Sequence, residues 1–151
     1  MDYLEIKGGN PLKGEVRISG SKNAVLPILA ATLLTDEKCV IRGIPDLSDV
    51  KHMAKILQTL GAEVVLEAGT VTVQAKSINP FGDYDIIRKM RGSVCIMGPL
   101  LGRLHEAKVS MPGGCVIGAR PIDQHLWGFK SLGALIDLKE GYVIAKAPQL
   151  E

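Results

Sequence analysis

Cysteine is scarce in this chain, with Cys39, Cys95 and Cys115 scattered over 151 residues and no CxxC pair. An odd, dispersed set gives no disulfide framework, and no His cluster stands beside it at metal-ligand spacing. The thiols read as reduced, the usage expected of a cytoplasmic protein. Excess charge of one sign is missing too. With 18 Lys+Arg against 16 Asp+Glu the net charge is +2, so no bulk field argues for nucleic acid or an anionic membrane, and any basic site must be local. Long apolar runs are absent. The longest nearly unbroken one, Ala24 to Leu34, falls short of the roughly 20 residues that span a bilayer. Met1-Asp2-Tyr3-Leu4-Glu5 carries two acids where a secretory leader needs a basic start. Neither a P-loop nor a GxGxxG spacing occurs, which removes the two commonest nucleotide-binding readings. Although only 4% of the residues are aromatic, 46% are hydrophobic, which excludes a disordered chain and fits one domain or part of a larger one.

What is present is an internal repeat. A shift of 72 residues lays Leu60-Gly61-Ala62 on Leu132-Gly133-Ala134 and, without a gap, Val64 on Ile136, Leu66 on Leu138, Gly69 on Gly141, Val71 on Val143 and Ala75 on Ala147. Upstream, a shift of 69 pairs Lys22 with Arg91, Glu37 with Glu106 and Val40 with Val109. The change of register puts an insertion within Met111 to Asp123 of the second copy. Each copy then reads alike. A helix apolar on most sides (Ala24–Leu34, Val94–Leu101) precedes a short strand (Lys38–Arg42, Lys108–Met111). A second helix follows, with Asp49 or Asp123 at its start and Gly61 or Gly133 ending it. Its apolar face is Val50, Met53, Leu57 and Leu60 in one copy and Ile122, Leu126, Phe129 and Leu132 in the other. Hairpins turn at Gly69 and Gly141. The fold class is α/β (α+β), built of β-α-β-α-β-β units. Residues 1–20 are expected to form a strand-rich leader, 21–86 the first unit and 87–151 the second, which carries the loop 111–121. Ser77–Tyr84 links the units. No third copy fits before Glu151, so the reading expects part of a longer array.

Three places could carry chemistry. Met111-Pro112-Gly113-Gly114-Cys115-Val116-Ile117-Gly118-Ala119-Arg120-Pro121 cannot be a regular helix or central strand. Its glycines leave the Cys115 thiol accessible, and Arg120 offers charge that favours thiolate. Ser19-Gly20-Ser21-Lys22-Asn23 feeds the first helix, where outward N–H groups, the Lys22 ammonium and the Asn23 amide would suit an anion. Met90-Arg91-Gly92-Ser93 opens the equivalent helix. A cation at both helix starts opposes the dipole, and an anion held between them would remove that conflict. His125 replaces Met53 on a face that the periodicity makes apolar, so it reads either as a core histidine or as part of the loop's site. Trp127 reads as core, and His52 and His105 as surface.

With Leu12-Lys13-Gly14-Glu15-Val16, Ser19-Gly20-Ser21-Lys22-Asn23, Met90-Arg91, Leu132-Gly133-Ala134 and, most specifically, Pro112-Gly113-Gly114-Cys115 with Ile117-Gly118-Ala119-Arg120-Pro121-Ile122-Asp123, the chain resembles the UDP-N-acetylglucosamine 1-carboxyvinyltransferases. The sister family, the 5-enolpyruvylshikimate-3-phosphate synthases, lacks the cysteine. The resemblance implies an inside-out α/β barrel of repeated units, here incomplete, with residues 1–20 belonging to the family's other domain. It implies transfer of the enolpyruvyl group of phosphoenolpyruvate to the 3′-hydroxyl of UDP-N-acetylglucosamine, the first committed step of peptidoglycan synthesis. No cofactor or metal is implied, and the remainder of the transferase chain is an expected partner. Cys115 would be the general acid, able to add to phosphoenolpyruvate and open to fosfomycin. Lys22, Arg91 and Arg120 would hold the phosphate and carboxylate, and Asn23 and His125 would bind substrate. Many members carry a Trp a few residues after the Met-Arg pair, where this chain has Cys95. A free-standing anion-binding module reusing the repeat is the competing reading.

Overall fold

The computed structural model describes residues 3–111 and 121–150. Helix α1 (Lys22–Ala31) tightens into a 3₁₀ turn, Thr32–Leu34, and is followed by β1 (Cys39–Arg42), α2 (Ser48–Thr59), β2 (Glu63–Glu67) and β3 (Thr70–Gln74). A short helix α3 (Tyr84–Ile87) then leads to a 3₁₀ segment, Arg91–Ile96, which runs into α4 (Met97–Leu104). The second copy is completed by β4 (Glu106–Ser110), α5 (Asp123–Ser131), β5 (Leu135–Lys139) and β6 (Tyr142–Lys146).

The repeat is real in three dimensions. Each copy forms a three-stranded antiparallel sheet with its last strand in the middle, in the orders β1-β3-β2 and β4-β6-β5. The hairpins turn on Ala68-Gly69 and Glu140-Gly141, all four at positive φ, the two-residue turn whose twist matches the strands it joins. Alternation does the rest. Val71, Val73 and Ala75 are buried, as are their counterparts Val143, Ala145 and Ala147, because successive strand residues face opposite sides. The helices α2 and α5 end 72 residues apart, at Thr59 and Ser131, with Gly61 and Gly133 at φ +100° and +89° beyond them.

The structure corrects the sequence reading at several points. Among the described leader residues, 3–20, there is no strand, and all are exposed. Their alternating apolar residues find no ladder partner among the described strands. The second buried helix opens as a 3₁₀ segment. There the Ser93 hydroxyl donates to the Ile87 carbonyl at 2.9 Å and also to the Met90 carbonyl, back-bonding that competes with the α pattern. The strand equivalence is shifted by one residue. Ile41 faces Val71 and Val109 faces Val143, so Ile41, not Val40, is the counterpart of Val109. Val40 is 44% exposed and Val109 1%, the reversal of face that a one-residue slip produces.

One core runs through both copies, joining Leu29, Leu33, Met53 and Leu57 of the first to Ile96, Leu100 and Leu101 of the second. Polar clamps reinforce the join. Arg103 on α4 donates to the carbonyls of Leu33 (2.9 Å), Thr35 (3.1 Å), Ala75 (2.7 Å) and Lys76 (3.3 Å). The two histidines read as surface have partners. The His52 Nε2 lies 2.7 Å from the Ile86 carbonyl, and His105, in the left-handed region after α4, has its Nδ1 3.1 Å from the Ala147 carbonyl.

Candidate active site

The start of α1 is placed by a glycine. A Cβ at Gly20 would strike the Gly43 carbonyl oxygen, so only glycine lets the chain run backbone to backbone past the β1–α2 connection. That approach sets the first turn of α1 beside the first turn of α2. Ser21 is extended at the N-cap, and its side chain makes no capping bond. No acid lies in the first turn, where Lys22 opposes the helix dipole. Pro27 further removes the N–H that would bond the Asn23 carbonyl. The compensation comes from α2. Its Asp49, in the first turn where a carboxylate is favoured, sits 2.9 Å from the Lys22 ammonium, with the two side chains 49% and 36% exposed for Lys22 and Asp49. A shallow depression of about 510 Å³, bounded by Arg17–Gly20 and Gly43–Pro45, adjoins this corner.

Arg91 is the first residue of its 3₁₀ segment, which packs on α1. A Cβ at Gly92 would come within 2.9 Å of Leu26 Cδ1, one turn along from Lys22. The half-buried Arg91 guanidinium reaches across and donates from Nη2 to the Pro121 carbonyl at 2.9 Å. Pro121 immediately precedes Ile122 and the start of α5. On the other side of the same connection, the Met111 N–H donates to the Gly141 carbonyl at 2.8 Å and the Ser110 hydroxyl to the Tyr84 carbonyl at 3.4 Å.

Of the residues expected to form a site, Cys115 and Arg120 lie outside the described residues, as does the rest of 112–120. Lys22 and Arg91 stand at the first residues of two packed helical segments. Asn23 is exposed beside Lys22. His125 is exposed near the start of α5 rather than core-facing, and Trp127 is 69% exposed rather than core. Leu132, expected on the apolar face, is 44% exposed. Asp49, read only as a helix-start residue, turns out to be the partner of Lys22. Cys95 is half-buried and packs against the core. Burial raises its thiol above the ordinary cysteine range, against a smaller opposing pull from a backbone hydrogen bond. Among the described residues no three His, Cys, Asp or Glu side chains gather into a metal site, and no helix is long and apolar enough to cross a membrane.

Comparison with known proteins agrees with this architecture. The family model for EPSP synthase (3-phosphoshikimate 1-carboxyvinyltransferase) matches residues 6–149. A UDP-N-acetylglucosamine 1-carboxyvinyltransferase of Methylacidiphilum infernorum (isolate V4) is 56% identical over 145 residues, covering 96% of this chain and 34% of that protein. The proteins of the same name from Helicobacter pylori (strain ATCC 700392 / 26695) and Myxococcus xanthus (strain DK1622) are 53% and 52% identical over 99% and 100% of the chain, and 36% and 37% of their own lengths. The chain thus spans about a third of the curated relatives it matches. Among solved structures, the enolpyruvyl transferase NikO from Streptomyces tendae superposes with a TM-score of 0.74 at 26% identity, covering 95% of this chain and 32% of that one. A doubled helix-and-hairpin unit, a family match over nearly its whole length and a shared three-dimensional fold make this chain a member of the EPSP synthase family of enolpyruvyl transferases.

Proposed function

We propose that this chain is the N-terminal third of an enzyme that transfers the enolpyruvyl group of phosphoenolpyruvate to the 3′-hydroxyl of UDP-N-acetylglucosamine, releasing phosphate, in peptidoglycan synthesis. The observation that carries the proposal is identity of 52–56% over 96–100% of the chain to proteins bearing that name. The same relatives, together with Cys115, favour the nucleotide sugar over a shikimate phosphate as acceptor.

The residues support the chemistry. Phosphoenolpyruvate carries several negative charges, and a closed cleft can hold it only with cations close by. Lys22 and Arg91 head two helical segments packed on each other, and Arg120 directly precedes the Pro121 that Arg91 grips. In the proposed reaction Cys115, as general acid, delivers a proton to the methylene carbon. C2 becomes electron-poor and the sugar hydroxyl oxygen bonds to it, losing its proton to a base. The methyl group so formed then gives up a proton, the C2–O bond to phosphate breaks, and inorganic phosphate leaves with the bond's electrons. Arginine forks orient the carboxylate and phosphate as well as neutralise them. Asn23 and His125, both exposed near the helix starts, would meet the substrates.

The test is a chimera in which this chain replaces the matching 145 residues of the Methylacidiphilum infernorum relative. The expected result is phosphate release from phosphoenolpyruvate that requires UDP-N-acetylglucosamine and is lost in Cys115→Ala. The 151-residue chain alone should release none. A folded chimera without activity, or activity from the chain alone, would overturn the proposal.

A further inference from the structure

The two unusual cations make the same contact twice. Lys22 and Arg91 are equivalent under the upstream shift, and Asp49 and Pro121 are equivalent under the downstream shift of 72 residues. In each copy the cation that heads the first helical segment reaches across to the start of the second helix. Lys22 meets the Asp49 carboxylate at 2.9 Å, and Arg91 meets the Pro121 carbonyl at 2.9 Å. The repeat has kept the geometry while exchanging the acceptor.

We propose that Asp49 is a positioning residue for Lys22: its carboxylate holds the ammonium at the mouth of α1, aimed at a phosphorylated anion. This rests on the function proposed above and assigns a role to a residue with no place in it so far. Three observations carry it. Lysine is a point charge on a flexible four-carbon stem, and nothing in the first turn of α1 restrains it, since Ser21 makes no side-chain cap and no acid is present there. Asp49 is held by the first turn of α2, and the nearby Asp46 is occupied by Lys51 at 2.7 Å. An ammonium has three N–H donors, so one bond to Asp49 leaves two for a ligand. Finally, a pair 49% and 36% exposed contributes little to folding, so stability alone does not account for a contact built into both copies.

The experiment measures steady-state kinetics of the chimera with Lys22→Ala, Asp49→Ala, Asp49→Glu and the double variant. Asp49→Ala should raise KM for phosphoenolpyruvate by about three- to five-fold, the upper range of one partly exposed ion pair, while KM for the nucleotide sugar stays within about two-fold. Asp49→Glu should restore most of the loss. The double variant should be no worse than Lys22→Ala, because interacting residues are not additive. If Lys22→Ala raises KM and Asp49→Ala does not, Asp49 positions nothing and the inference fails alone. An equal loss for both substrates, or additive losses, assigns Asp49 a merely structural role and overturns it too. If Lys22→Ala itself has no effect, the placement of Lys22 in the site fails and takes the inference with it.

Discussion

Arg103 is the residue that the sequence hid most completely. Its partners are four backbone carbonyls from two distant segments, Leu33 with Thr35 and Ala75 with Lys76, and carbonyls leave no mark in a sequence. The one available sign was the repeat, since the upstream shift places Arg103 on Leu34, and a charge replacing an apolar residue in a duplicated scaffold calls for a partner. Arg103→Met should destabilise the chain by about 2–4 kcal/mol in urea denaturation, because it removes charge-assisted bonds and strands partly buried acceptors. Arg103→Lys should recover only part of that loss, as a point charge cannot serve a planar fork of acceptors. Cys95 gives a pH prediction. Burial raises its thiol in the folded state, so the associated stability is complete below the unfolded value, about 8.5, and is lost as pH rises through the folded one. Denaturation midpoints of the wild-type chain should therefore fall more steeply above about pH 8.5 than those of Cys95→Ala. A parallel pair of curves would refute this.

At the scale of elements, the sequence exposed whatever repeated and obscured whatever depended on a neighbour. Hairpins and helix ends were legible because Gly61, Gly69, Gly133 and Gly141 occupy backbone conformations that glycine tolerates at little cost. The offset of the first strand was not, since Val40 on Val109 makes as good a match by letter as Ile41 does, and only the ladders decide. The leader misled for the opposite reason. Its alternation is that of a strand, but a strand exists only where another lies beside it. The turns offer a test. Ala68 and Glu140 take positive φ that a side chain resists, and Asn is the residue that best adopts it before glycine. Ala68→Asn and Glu140→Asn should each add a few tenths to about 1 kcal/mol of stability by thermal or urea melts. Gly20→Ala should act in the other direction. Its methyl group would force α1 away from Gly43, and crystallographic or NMR distances should show the Lys22–Asp49 pair lengthened.

Across the whole molecule the two copies are unequally covered. Helix α2 fully buries Val50, Met53, Ala54, Ile56 and Leu57, whereas α5 fully buries no residue and only partly buries Leu126 and Phe129 against the core. Trp127 on α5 is 69% exposed, and Leu135 and Leu138, on opposite faces of β5, are 72% and 58% exposed. Apolar surface of this kind marks an interaction face or an aggregation liability. The chain in isolation should bind a hydrophobic dye and self-associate in analytical ultracentrifugation, and Leu135→Lys with Leu138→Lys should suppress both. Trp127 emission should be red-shifted and readily quenched by iodide. Of the expected site, the matched placement of Lys22 and Arg91 at the heads of two packed helical segments was readable from the repeat. The carboxylate that accompanies one of them was not, because it belongs to the next helix and is recruited only by the glycine crossing at Gly20.

A chain made of two like halves could have been a pair of beads, each melting on its own schedule. The shared interior forbids that. Leu29 and Leu33 share one buried cluster with Leu100 and Leu101, and Arg103 ties its half to the carbonyls of the other. Cutting the polypeptide between Ser77 and Tyr84 should therefore yield two pieces that are each unstructured apart and regain order only when mixed.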